Sequence, residues 1–266
     1  MKFIIILILF ISNLANAKDR ITIDHPFILS IIEDLFPNKF EYQKLYSAID
    51  MHQNMPMKYS NIINIKTSKM IFSISKYNYI KSIVKNVKII NLSDCKILND
   101  EFCNQDKHFW LSPKVTLQIY IIIFNTLKGG DEKEINFAQN IINNIKKIDT
   151  SLPCNANKID VYTDHSFFQR LRSYTKIKDN IFSNFGDIMP SKLQILQNNP
   201  SCILSENILG DNILRKIHKD TKISTIDPDG NFFNNIILTK LSHKNNCTTN
   251  YCDYIEEIKK SICKCF

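Results

Sequence analysis

The sequence has few glycines, no long basic block and no membrane-length apolar stretch after its start, and each absence excludes a class of protein. Its 266 residues contain only five glycines, too few for a collagen-like or glycine-rich architecture. Lysine and arginine outnumber aspartate and glutamate by 34 to 26, but they are scattered, so the charge does not indicate nucleic-acid binding. The most apolar later stretch, residues 117–127, is interrupted by Gln118 and Asn125. With 44% hydrophobic and 23% charged residues, the chain is neither disordered nor a polytopic membrane protein.

The first seventeen residues have the three parts of a secretory signal peptide. Lys2 is followed by an unbroken apolar run to Ile11, and Ala15-Asn16-Ala17 matches an A-x-A cleavage site. We therefore predict a signal peptide over residues 1–17, cleavage after Ala17 and export to the periplasm. The residue directly after the cleavage site is Lys18 and not a cysteine, so nothing suggests a lipid attached there.

Export determines how the eight cysteines are interpreted. An even number of cysteines in an oxidising compartment favours disulfides, and no C-x2-C pair typical of a structural zinc site is present. A bridge from Cys202 to either Cys263 or Cys265 would tie the final helix to an interior strand. Two other pairs would close short loops. These are Cys95 with Cys103 and Cys247 with Cys252.

Short apolar segments alternate along the chain with segments of helical spacing, which favours parallel sheets covered by helices. Predicted strands cover residues 21–24, 42–49, 70–74, 87–92, 159–163, 181–184, 202–205 and 223–226. Predicted helices cover residues 26–36, 59–66, 77–85, 112–127, 132–150, 165–174, 190–197, 212–218 and 251–262.

We predict an α/β fold with two lobes, each a mainly parallel sheet flanked by helices. The N-terminal lobe spans residues 18–131, one long connecting helix spans residues 132–150, and the C-terminal lobe spans residues 151–266. Ligands of such sheets bind at the carboxyl ends of strands, which here would face the cleft between the lobes.

Three histidines and one aspartate lie where such a cleft would be lined. His52 follows a predicted strand, His108 directly precedes the long helix that starts near Pro113, and His165 and Asp227 lie at strand ends. Imidazole and carboxylate groups are the ligands that zinc accepts in a tetrahedral site, and harder ligand sets favour manganese. The other histidines are expected to be surface or local hydrogen-bonding residues. These are His25, His218 and His243.

The segment Asp106–Pro113 makes this hypothesis more specific. Its sequence, D-K-H-F-W-L-S-P, resembles the D-P-H-x-W-x-[SD]-P motif of the zinc- and manganese-binding solute-binding proteins of ABC transporters. The resemblance implies that His108 is a metal ligand and that His52 corresponds to the first ligand. The segment that begins at Asp227 matches the D-P-L-G motif of that family, which makes Asp227 a further candidate. Trp110 is expected to pack beside the site.

The third ligand of the family has no exact counterpart. The motif x-H-D-A-x-x-Y-F corresponds here to the segment from Tyr162 to Phe168, and its ligand position falls on Thr163. Thr163, Asp164 and His165 therefore remain alternatives. The resemblance also implies a bridge between Cys202 and a cysteine near the C-terminus, as in the zinc-binding subgroup.

The function implied by the resemblance is capture of a divalent metal in the periplasm and its delivery to the membrane permease of an ABC transporter. Zinc is the expected metal. Manganese remains the alternative because the region 93–105 lacks the histidine-rich loop common in zinc-binding members of the family. The protein is expected to be a monomer without enzymatic activity and without a nucleic-acid partner. A metal-dependent secreted hydrolase lacks support because no H-E-x-x-H motif is present. An adhesin of the same fold is the other alternative.

Overall fold

The structure, a computed structural model, is built of parallel sheets flanked by helices, which confirms the predicted α/β class. It describes residues 18–45, 59–74, 77–99, 108–154, 161–163, 180–181, 183–184, 187–188, 202–205, 222–226 and 249–265. Internal contacts divide the chain into two compact units, residues 1–92 and residues 93–266, and each is described by itself. Within the described ranges, no helix is both long enough and apolar enough to cross a bilayer.

The first unit is built on a four-stranded sheet in which all neighbouring strands are parallel. The strand order is β2-β1-β3-β4, and Ile21 lies opposite Tyr42 on one side and Met70 on the other. The strands are β1 (Arg20–Ile23), β2 (Glu41–Lys44), β3 (Met70–Ser73) and β4 (Lys88–Asn91). Helices α1 (Pro26–Leu35), α2 (Tyr59–Lys66) and α3 (Tyr77–Ile83) lie in the crossovers that parallel strands require.

Burial explains why these segments form the centre of the first unit. Strand β3 is buried at every position, and α1 buries nine of its ten residues. Parallel strands covered by helices on both faces have this continuous apolar character. The β3 strand also contributes to a core cluster formed by Leu45, Ile65, Ile71, Ile80 and Val84.

The first helix begins at a histidine cap. His25 lies at the N-cap position in extended conformation, and its Nδ1 accepts a hydrogen bond from the Phe27 amide at 3.1 Å. Pro26 at the first helical position has no amide hydrogen to leave unsatisfied. Of the two roles expected for His25, surface residue or local hydrogen bonding, the structure shows the second, because the side chain is buried.

The second unit contains a second parallel sheet, with the order β10-β9-β5-β6, and a short antiparallel hairpin of β7 and β8. Its strands are β5 (Val161–Thr163), β6 (Asn180–Ile181), β7 (Ser183–Asn184), β8 (Asp187–Ile188), β9 (Cys202–Ser205) and β10 (Lys222–Thr225). Its helices within the described residues are α4 (Cys95–Leu98), α5 (Pro113–Leu127), α6 (Glu132–Lys146) and α7 (Asn250–Cys263).

The predicted elements of the second unit that the structure describes are confirmed, with shifts at their ends and one exception. The helices predicted over residues 165–174, 190–197 and 212–218 lie outside the described residues. Helix α5 spans Pro113–Leu127, as the Ser112-Pro113 start predicts, although Ser112 caps it without a side-chain hydrogen bond. Helix α6 ends at Lys146, short of residue 150, because the Lys147 amide turns back to the carbonyls of residues 144 and 145. The strand predicted over residues 181–184 was wrong as one element, since β6 pairs with β5 whereas β7 pairs with β8.

The unit boundary lies before α4, whereas the predicted lobe boundary follows residue 131. The long helices α5 and α6 both belong to the second compact unit and contact each other. The lobe organisation 18–131, 132–150 and 151–266 stays a prediction, as does the signal peptide over residues 1–17, which lies outside the described residues.

Helix α7 is attached covalently at its C-terminal end. One disulfide joins Cys263 to Cys154, and a second joins Cys265 to Cys202 in strand β9, with Cα atoms 5.7 and 5.3 Å apart. The second bridge confirms the predicted link between the final helix and an interior strand. Cys95 and Cys252 are also disulfide-bonded, while the predicted partners, Cys103 and Cys247, lie outside the described residues.

We expect the Cys202–Cys265 bridge to contribute strongly to stability. Replacing both cysteines with alanine should lower the free energy of unfolding by about 2–5 kcal/mol, because the bridge closes a long loop in the unfolded chain. Urea unfolding without reductant measures this. In reductant the unfolding free energies of the wild type and the double variant should become more similar, because the wild type then also loses this bridge. An unchanged unfolding midpoint under oxidising conditions would contradict the expectation.

Candidate metal centre

His108, the predicted ligand with the strongest motif, lies on a tight turn in the second unit. The turn is a 3-10 helix over Phe109–Leu111, directly before α5. The His108 carbonyl accepts a hydrogen bond from the Leu111 amide at 3.0 Å, which closes the turn on itself. His108 is buried, with 6% of its surface exposed. The residue is therefore held by local backbone geometry and withdrawn from bulk water.

Trp110 packs against the ring of His108, and its place beside a metal site stays a prediction. The ring centroids are 5.5 Å apart at an interplanar angle of 72°, an edge-to-face contact. Trp110 is itself buried. The His108 imidazole is therefore in contact with a buried aromatic ring.

The carbonyl of Trp110 receives two side-chain hydrogen bonds from two different helices. The Thr116 hydroxyl of α5 donates to it at 3.0 Å, and the Tyr251 hydroxyl of α7 donates at 2.9 Å. Burial raises the pKa of Tyr251 far above its usual range, and the nearby Thr116 side chain opposes the shift. The Tyr251 hydroxyl is therefore protonated, and able to donate, at neutral pH.

Sequence reasoning did not identify Thr116 or Tyr251. The apolar spacing of α7 predicts that Tyr251 is buried, but its partner is 141 residues earlier in the chain. The one signal in the sequence is that the hydroxyl of a tyrosine expected to be buried, such as Tyr251, usually has a hydrogen-bond partner. The sequence does not say which partner that is.

A second polar cluster lies at the carboxyl edge of the first unit's sheet. Asp24, directly after β1, accepts hydrogen bonds from the Ser73 hydroxyl at 2.6 Å and from the Ile74 amide at 2.9 Å. Asp24 and Ser73 are both buried. The carboxylate joins the ends of two adjacent strands at the edge where ligands of parallel sheets bind.

The other predicted ligands cannot be positioned from this structure. His52, His165 and Asp227 lie outside the described residues, and so does Asp164. Thr163 is the last residue of β5. Among the described residues, no group of three or more histidine, cysteine or acidic side chains could hold a metal ion. The four-residue site of His52, His108, His165 and Asp227 therefore stays a prediction.

The fold is shared with solved metal-binding proteins, which confirms the predicted type of architecture. The periplasmic zinc-binding protein TroA of Treponema pallidum aligns with a TM-score of 0.68 over 92% of this chain and 98% of its own, at 13% identity. The metal-dependent lipoprotein YcdH of Bacillus subtilis aligns with a TM-score of 0.66 over 92% and 99% of the two chains, at 17% identity.

A third similar structure is the cadmium-bound periplasmic metal-binding protein of Candidatus Liberibacter asiaticus. It aligns with a TM-score of 0.62 over 94% of this chain and all of its own, at 16% identity. No family model and no curated protein sequence matches the chain. At identities this low, the structural likeness establishes the fold alone. It extends over nearly the whole of both chains in each comparison.

We expect the Asp24 cluster to be important for stability. Asp24→Asn should lower the free energy of unfolding by about 1–3 kcal/mol, because the amide lacks the charge that strengthens the hydrogen bonds from the Ser73 hydroxyl and the Ile74 amide. Chemical denaturation measures the change.

Asp19→Asn is the matched control for this variant. Asp19 lies just before the same strand, but its ion pair with Lys69 is exposed, and exposed pairs contribute little. Equal effects of the two substitutions would contradict a special role for Asp24.

Proposed function

We propose that this protein captures a divalent transition metal ion in the periplasm and delivers it to the membrane permease of an ABC transporter. The observation that carries the proposal is His108, a buried histidine on a fixed turn within the Asp106–Pro113 motif, in a chain whose fold matches metal-binding proteins over more than nine-tenths of its length. The protein acts as a carrier and not as an enzyme.

Zinc is the proposed cargo, with manganese as the alternative. A ligand set of three histidines and one aspartate suits zinc in tetrahedral geometry, while more oxygen ligands favour manganese. Structures of similar fold are described as zinc-bound, for AdcA of Streptococcus pneumoniae, and as manganese-bound, for the Candidatus Liberibacter asiaticus protein. The third ligand bears on this choice, because Thr163 or Asp164 would add an oxygen donor and His165 a nitrogen donor.

The carrier role also agrees with the proposed export. A signal peptide over residues 1–17 brings the mature chain into an oxidising compartment, and disulfides such as Cys154–Cys263 are stable there. The neighbours TroA and the Candidatus Liberibacter asiaticus protein are described as periplasmic. We propose that the mature protein is a monomer that meets its permease at the membrane surface.

Metal titration of the mature protein tests the proposal directly. Zinc and manganese are each titrated by competition against a chromophoric chelator. His108→Ala should weaken zinc binding by more than about 100-fold, because losing even an indirect partner of a ligand typically costs 10–100-fold. His25→Asn is the matched control, since it replaces another buried histidine with a residue that can still cap α1. Failure of the wild-type protein to bind either metal more tightly than micromolar would refute the proposal.

The same titration can identify the third ligand. Single variants Thr163→Val, Asp164→Asn and His165→Ala remove one candidate donor each. We expect one of the three to weaken binding as strongly as His108→Ala, since loss of any ligand opens the coordination shell. If all three bind zinc as the wild type does, the segment from 163 to 165 does not contribute to the site. A loss confined to Asp164→Asn would favour manganese.

A further inference from the structure

Helix α7 connects the His108 turn to the covalently anchored part of the second unit, and this arrangement has a consequence for metal binding. We propose that Tyr251 is a positioning residue for His108: its hydroxyl fixes the Trp110–Leu111 peptide group, and that peptide group fixes the His108 backbone. This inference rests on the proposed function, because it assigns to α7 a role in setting the geometry of a metal ligand.

The first step of the argument concerns one peptide group. The carbonyl of Trp110 and the amide N–H of Leu111 belong to the same planar unit and cannot rotate independently. The carbonyl accepts from Tyr251 and from Thr116, and the N–H donates to the His108 carbonyl at 3.0 Å. Holding the carbonyl therefore also orients the N–H that closes the turn.

The second step concerns the strength of the hold on this carbonyl. A carbonyl oxygen has two lone pairs, and here each has one donor. Both donors are fully buried, with Thr116 and Tyr251 at 0% exposure, so water cannot readily replace either of them. Loss of the Tyr251 hydroxyl would leave Thr116 as the remaining donor and would let the peptide group tilt.

The third step concerns the other end of α7. Cys263 is bridged to Cys154, and Cys265, two residues further on, is bridged to Cys202. Lys259 donates to the Asp149 carbonyl at 3.2 Å. The helix has 14 residues and is about 21 Å long. Because its C-terminal end is fixed, α7 cannot slide to follow a displaced turn, and Tyr251 acts as a fixed point.

The experiment compares Tyr251→Phe with Tyr254→Phe as a matched control. Tyr254 is on the same helix, is also buried, and contacts Tyr251 with ring centroids 6.3 Å apart. Each variant loses one buried hydroxyl, but Tyr254→Phe retains the bond between Tyr251 and Trp110. We expect Tyr251→Phe to weaken zinc binding about tenfold, the lower end of the range for groups that orient a ligand, and Tyr254→Phe to bind as the wild type does.

Two further measurements separate positioning from a general loss of stability. Cobalt(II) is substituted for zinc, and its visible absorption bands report ligand geometry. We expect them to shift in Tyr251→Phe and to stay unchanged in Tyr254→Phe. Hydrogen exchange of the Leu111 amide in the metal-free protein should be faster in Tyr251→Phe alone. If Tyr251→Phe does not fold, Thr116→Val removes the other donor to the same carbonyl, and Thr116→Ser should restore binding.

The outcomes distinguish this inference from the proposed function. Wild-type zinc affinity and an unshifted cobalt spectrum in Tyr251→Phe would overturn the positioning role, and so would an equal loss in Tyr254→Phe. A wild-type protein that binds neither zinc nor cobalt would refute the proposed function instead. In that case the Leu111 exchange rate decides whether Tyr251 holds the turn: faster exchange supports the hold, and an unchanged rate overturns it.

Discussion

The second unit depends on the attachment of its last helix at both ends. At the N-terminal end, the Tyr251 hydroxyl bonds the Trp110 carbonyl, and at the C-terminal end two disulfides join Cys263 and Cys265 to distant parts of the chain. One of these parts is the buried strand β9. A single hydrogen bond between a side chain and the backbone contributes little by itself. Here the donor, Tyr251, is carried by a helix whose other end is anchored by two disulfides. The turn that carries His108 thereby gains support from residues far along the chain.

Features that depend on local sequence could be predicted, and those that depend on distant contacts could not. Alternating apolar segments predicted the parallel sheets, and Ser112-Pro113 predicted the start of α5 because cap and proline preferences act within one turn. The Cys202–Cys265 bridge was one of two alternatives, since spacing alone cannot decide between cysteines two residues apart. The strand predicted over residues 181–184 was wrong because its neighbours decide the pairing of so short a segment.

The candidate site shows the same division between local and distant information. The motif around His108 predicted the residue as a ligand, and the structure adds its burial and its contact with Trp110. The hydroxyls of Thr116 and Tyr251 could not be predicted, because nothing near them in the sequence indicates a shared carbonyl partner. Sequence identities of 13–17% with proteins of the same fold are consistent with this. An architecture can persist while most of the individual side chains that support it change.

The order of the cysteines in the Cys154–Cys263 and Cys202–Cys265 disulfides has a consequence for how the chain matures. Cys154 and Cys202 come first, and their partners at positions 263 and 265 come last, so the two covalent loops overlap and are not nested. During synthesis and export the N-terminal part of a chain is available first. Neither bridge can form until Cys263 has emerged, and any shorter chain lacks both. Formation of these two bridges is therefore a late step, which links parts of the chain that have already been synthesised.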